Sequence, residues 1–118
     1  MAAPNLLTST QILGKTTIFD STTTLSNVIV NADSSGNLIK IDSLTISNFG
    51  ASAISSNVIM RRGAARGYVI GTTTVPAFST LTVIARDTAL FLEEGDYLQA
   101  NVSANFTSQI VMSYEVIS

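Results

Sequence analysis

Leu90-Phe91-Leu92-Glu93-Glu94-Gly95-Asp96-Tyr97-Leu98-Gln99-Ala100-Asn101-Val102-Ser103-Ala104-Asn105 is the stretch that decides the fold. Leu98, Ala100, Val102 and Ala104 share one parity, while Gln99, Asn101, Ser103 and Asn105 share the other. That period of two is the mark of a half-buried strand. Ahead of it, Glu93-Glu94-Gly95-Asp96 reads as a tight turn. Gly95 supplies a positive φ there, and the Asp96 carboxylate caps backbone amides of the turn. After a polar break at Phe106-Thr107-Ser108, Gln109 to Ile117 places Ile110, Met112, Tyr114 and Val116 on one face. Val111, Ser113, Glu115 and Ile117 fall on the other. Both faces are partly apolar, so this last strand is expected to be covered on two sides.

Working back from that stretch, the same alternation recurs at the spacing of an all-β domain. Ile12 and Gly14 to Phe19 predict a first strand, and Leu25 to Val30 a second. Asn31 to Asn37 is a loop by composition, with Gly36 free to take a positive φ. Leu38 to Asn48 changes phase midway: Ile39 and Ile41 have one parity, Leu44 and Ile46 the other. A β-bulge near Asp42-Ser43 restores all four to one face. Ile54 to Arg62 is the next strand, Gly63 to Gly67 a loop, and Tyr68 to Ile70 a short strand. Thr72 to Pro76 is extended and ends at Pro76, which cannot donate to a ladder. Leu81, Val83 and Ala85 alternate with Thr82, Ile84 and Arg86 in a further strand. No stretch keeps a 3.6-residue period over three turns, so helix should be minimal. The fold class is therefore all-β: an antiparallel β-sandwich of about eight strands, with jelly-roll connections as one option. Residues 1–10 have no period and read as an N-terminal arm, and residues 11–118 as a single sandwich domain.

Composition narrows function by exclusion. The 118 residues contain no Cys and no His. Disulfides, zinc-thiolate sites and thiol catalysis are therefore absent, along with the usual general base and the commonest transition-metal ligand. Charged residues are 12% of the chain against 46% hydrophobic. So few charges leave little to keep a small domain apart from its neighbours, and partners are expected to cover part of the surface. A net charge of −2 argues against nucleic acid as the main ligand. No segment has the roughly 18 apolar residues of a membrane span. The start of the chain lacks the basic and apolar regions of a secretory signal, which predicts a protein retained in a cytosol or exported by another route.

Few residues invite a functional reading. Arg61, Arg62 and Arg66 surround the Gly63 loop as the one basic cluster. They suit a carboxylate or anion on a partner subunit, or else a solvated hairpin tip. Glu93, Glu94 and Asp96 lack the spaced oxygens of a calcium loop and are read as turn chemistry. No catalytic, cofactor or metal residue is assigned. The Thr-rich runs lack the in-register repeat of an ice-binding face, and exposed strand positions account for them.

Val75-Pro76-Ala77 with Ser79-Thr80-Leu81, Leu92-Glu93-Glu94-Gly95-Asp96 with Leu98-Gln99-Ala100, and Ser113-Tyr114-Glu115 near the end form an ordered set. With Ile41 to Asn48 and Phe49-Gly50, this set resembles small β-sandwich virion structural proteins of tailed bacteriophages of the marine and cyanophage type. The resemblance runs from about Leu38 to the C-terminus, and Asp20 to Asn37 matches less well. It implies a non-enzymatic building block located in the virion and assembled in the host cytoplasm. The leading expectation is a capsid decoration, or cement, protein. It would contact copies of itself and the major capsid protein, with no nucleic acid, membrane or cofactor. A tail, baseplate or fibre component is the alternative, and a carbohydrate- or receptor-binding module a second. The expected partner contacts are Pro4 and Leu6 in the arm, Arg61, Arg62 and Arg66, and the aromatics Tyr68 and Phe78.

Overall fold

The computed structural model describes residues 11–105 and 107–118. Pro4, Leu6 and the expected arm lie outside them. Among the described residues nine strands form two sheets: β1 (Ile12–Asp20), β2 (Ser26–Val30), β3 (Leu38–Asn48), β4 (Ile54–Arg62), β5 (Ala65–Val75), β6 (Ser79–Ile84), β7 (Leu90–Leu92), β8 (Asp96–Val102) and β9 (Ser108–Ile117). The helix content among the described residues is a single 3-10 turn at Arg86–Thr88.

One sheet has the order β1-β9-β3-β6, with β7 also on β3, and the other the order β2-β8-β4-β5. All pairings are antiparallel. Within this order β1 pairs β9, β2 pairs β8, β3 pairs β6 and β7, and β4 pairs β5. These are the nested pairs of one long hairpin whose tip is the β4–β5 turn. Wrapped so that β9 also meets β3 and β8 also meets β4, that hairpin is a jelly roll. The expected all-β sandwich is thus the architecture, and the jelly-roll option is its topology.

The core lies between the sheets. Ile41, Leu44, Ile46, Leu92, Ile110 and Met112 from the first sheet meet Val58, Val75 and Leu98 from the second, all essentially closed to solvent. The phase change in β3 is resolved as its sequence requires. The register with β9 shifts between Ile41 and Ser43, so Ile39 and Ile41 face the core together with Leu44 and Ile46. Two buried asparagines tie opposite ends of the sandwich. Asn31 donates through Nδ2 to the Asn37 and Leu92 carbonyls and accepts from Ser35 Oγ through Oδ1. Asn48 donates to the Ser52, Val75 and Pro76 carbonyls and accepts from the Gly50 amide. Each satisfies backbone groups that loops would otherwise bury unpaired.

Four expectations are corrected, the last of them in part. The loop predicted at Gly63 to Gly67 is a two-residue turn, because Arg62 already pairs with Ala65 across it and Gly63 adopts φ 58°. Tyr68 to Ile70 and Thr72 to Val75 are one strand, β5, interrupted by register shifts against β4 rather than by a loop. In β6 a shift lies between the pairs Leu44–Ile84 and Thr45–Thr82, which turns Ile84 into the core although its parity differs from that of Leu81. The last strand meets its expectation only in part. β9 lies between β1 and β3 with one face on the core, and on its outer face Ile117 is buried while Val111 is exposed.

Candidate contact surfaces

The β8 turn shows what its acidic residues do. Gly95 has φ 86°, the Asp96 amide donates to the Glu93 carbonyl at 3.0 Å, and the Glu93 amide donates to Asp96 Oδ2 at 2.9 Å. Asp96 has no accessible surface, yet its charge is matched. Arg62, opposite it on β4, donates in a fork through Nε to Oδ1 at 2.9 Å and through Nη2 to Oδ2 at 2.7 Å. Bidentate geometry of this kind is the strong form of the interaction. Arg62 also reaches Glu93 at 2.7 Å. The hydrogen bonds it donates to Asp96 raise the guanidinium's pKa above its ordinary value, so the basic partner stays charged at every working pH. Arg62 therefore serves its own turn. An open depression of about 670 Å³ lies beside it, with Asp33, Glu94 and Tyr97 among its walls. Among the described residues, no group of three or more His, Cys, Asp or Glu is placed to hold a metal ion.

Arg61, Arg66 and Tyr68 do come together. Strand parity puts Arg62 inward toward Asp96 and Arg61 on the outer face of the β2-β8-β4-β5 sheet. There Arg61 pairs with Arg66 on β5 and with Tyr97 on β8, and Ile59 pairs with Tyr68 and Gln99. The Arg66 guanidinium sits 5.9 Å from the centre of the Tyr68 ring, a cation–π arrangement, and the ring leans over Gly71. Tyr68 remains 57% exposed. Further along the same face, amides pair across the strands: Asn57 donates to Asn101 and Gln99 donates to Asn27, each at 3.0 Å. Neither Arg61 nor Arg66 makes an ion pair among the described residues. The face is thus a firmly held platform of two arginines and two tyrosines, types enriched where proteins touch.

Phe78 is elsewhere. It follows β5 at the end of the sandwich opposite Arg66, 75% exposed and with φ 54°, a conformation that bulky residues rarely adopt. Phe49, also exposed, leaves β3 at that same end, where Asn48 joins the two loops.

Two further features complete these surfaces. Tyr97 belongs to the Arg61 platform, and its parity with Gln99 and Asn101 could have placed it there. The outer face of the β1-β9-β3-β6 sheet carries Ile12, Ile18, Phe91 and Val111, all exposed. Apolar residues at both parities of the first strand were the available signal.

These features define a jelly-roll β-sandwich that presents broad side-chain platforms. No family model matches the chain, and no curated protein matches it significantly. Among solved structures it is similar to a chain from Bacillus endospore appendages, described as a novel family of disulfide-linked pili. The TM-score is 0.51 at 10% identity, over 99% of this chain and 95% of that one. The likeness is one of fold. Having no cysteine, this chain cannot be disulfide-linked to its copies.

Proposed function

We propose that the protein is a non-enzymatic structural component of a tailed-bacteriophage virion, a decoration or cement protein that reinforces the capsid through contacts between subunits. The observation that carries the reading is the bare surface. A closed apolar core presents an Arg/Tyr platform on one sheet and exposed Ile, Val and Phe on the other, with few charges between them. Such surface favours covering by protein. Support also comes from the ordered set of motifs around Leu92-Glu93-Glu94-Gly95-Asp96, whose turn geometry gives a physical reason for those residue types. Jelly rolls are frequent among viral capsid domains, which agrees with the proposal by analogy. Likeness in fold to a pilus-forming chain favours a second reading, a tail or fibre component.

The deciding experiment adds purified protein to capsids lacking it. Saturable binding with a raised capsid melting temperature is the expected result. Binding confined to tails would support the second reading, and no binding to either would sink both.

A further inference from the structure

We propose that the outer face of the β1-β9-β3-β6 sheet is the docking surface for the outer face of the β2-β8-β4-β5 sheet of a second copy, so that copies stack head to tail. The inference rests on the building-block reading and names the partner of the Arg61 platform.

The register defines the first face. One row runs Ile18, Val111, Thr45, Thr82, and another runs Ile12, Ile117, Leu38. Between them Thr16 and Ser113 share a hydroxyl hydrogen bond at 3.3 Å, and Glu115 pairs with Lys40. Ile12 is 62% and Ile18 68% exposed. On the outer parity of β9, Ile117 is buried, as is Leu38 beside it, while Val111 is left exposed, so the bare apolar surface of this face is Ile12, Ile18, Phe91 and Val111. A neighbour pressed against this face would cover it.

Charge selects the neighbour. The first face bears Asp20, Asp42 and Glu115 against Lys40, three negative charges and one positive, net −2. The second bears Arg61 and Arg66, net +2, and its strands place no acid on that side. Two copies joined through the same face would set like charges together, whereas unlike faces attract. The contact is therefore heterologous, and repeating it continues the stack.

The sheet edges are poorer sites. β1 turns Lys15 to its inner side, opposite Tyr114; β2 has five residues and a register shift; β5 has two shifts; β6 and β7 have six and three residues. Inward charge, bulges and shortness are the devices that prevent strand addition. Area also suits the faces. Four strands at about 4.8 Å by about nine residues at 3.3 Å cover roughly 600 Å² in plan, near the ~800 Å² of accessible surface per partner in a standard interface. With sheets about 10 Å apart, each copy adds about 20 Å to the stack, which agrees with the shortest extent of the chain, 20 Å.

The test is sedimentation of the full chain beside two charge-reversed forms, Asp20→Lys/Glu115→Lys and Arg61→Glu/Arg66→Glu. Wild type should form concentration-dependent oligomers. Each reversed form alone should stay monomeric, because its two faces then carry the same sign. Mixed one to one, they should associate again, since every contact is once more between opposite signs. A third variant, Ile18→Gln, alters an exposed side chain that the fold does not need and should weaken association about tenfold or more. Monomeric wild type at about 100 μM, association unchanged by Arg61→Glu/Arg66→Glu, or no recovery in the mixture would each overturn the stacking. Capsid binding, measured separately, decides the building-block reading. Binding retained by a wild type that does not stack rejects the stacking alone.

Discussion

Asp96 is the one carboxylate in the described structure held fully out of water. It accepts from the Glu93 amide and from both arms of the Arg62 fork, so its removal strips the turn of its cap and Arg62 of its anchor. Asp96→Ala is expected to cost about 3 kcal/mol, the range for a buried group bonded to charge, or roughly 12 °C in melting temperature for a domain of this size. Glu93→Ala removes only the exposed limb of the network and should change stability by no more than about 0.5 kcal/mol. Thermal denaturation of the two variants separates these roles. Equal losses would mean that the outer ion pair, and not the buried cap, holds the turn. The functions of Gly95 and Asp96 were legible in the sequence because turn chemistry acts within four residues. Arg62 was not, since its partner lies 34 residues away and only the β4–β8 register brings them together.

Strand β3 shows how far patterning alone can go. Its large aliphatics fall on two parities, and because both sets must be buried, the bulge at Asp42-Ser43 follows from the sequence. Asp42 is the extra residue, so deleting it would leave Ile39, Ile41, Leu44 and Ile46 on one parity of a regular strand in the same register with β9. The deletion variant is therefore expected to keep its melting transition and its near-ultraviolet dichroism. Loss of cooperative folding on deletion would show that the bulge itself, and not only the shared face it restores, is needed. Strand β5 carries similar irregularities that its sequence hides. Thr72 takes φ 48° and gives its amide to Asn57 Oδ1 at 2.7 Å, so a side chain replaces a ladder partner. The residues there are Gly and Thr, too small to mark which face they occupy, and the bulged strand looked like two pieces.

The number of strands and their period were legible along the chain; the order of the sheets was not. Nothing local tells β1 to cross to β9, or Arg61 to meet Tyr97. Those pairings come from closing one nested hairpin around a common core, a property of the whole set of apolar faces. The candidate surfaces divided in the same way. Arg66 and Tyr68, two residues apart on one strand, were visible as neighbours, while Phe78 joined them on paper and stands at the opposite end of the sandwich.

The clasp between the first and last strands has a mechanical meaning. Gln11 and Ser118 exchange backbone hydrogen bonds at 3.2 and 2.9 Å, so the two ends of the sandwich leave from one corner. Tension applied through those ends loads the β1–β9 ladder as a zipper, one rung at a time, because antiparallel bonds lie across the strands. Single-molecule pulling from the two ends should therefore open the domain at low force, with β1 peeling first; resistance typical of a sheared ladder would show that other contacts bear the strain. Any assembly built from this chain would have to carry load through the broad faces of the sandwich and leave the ends of β1 and β9 slack.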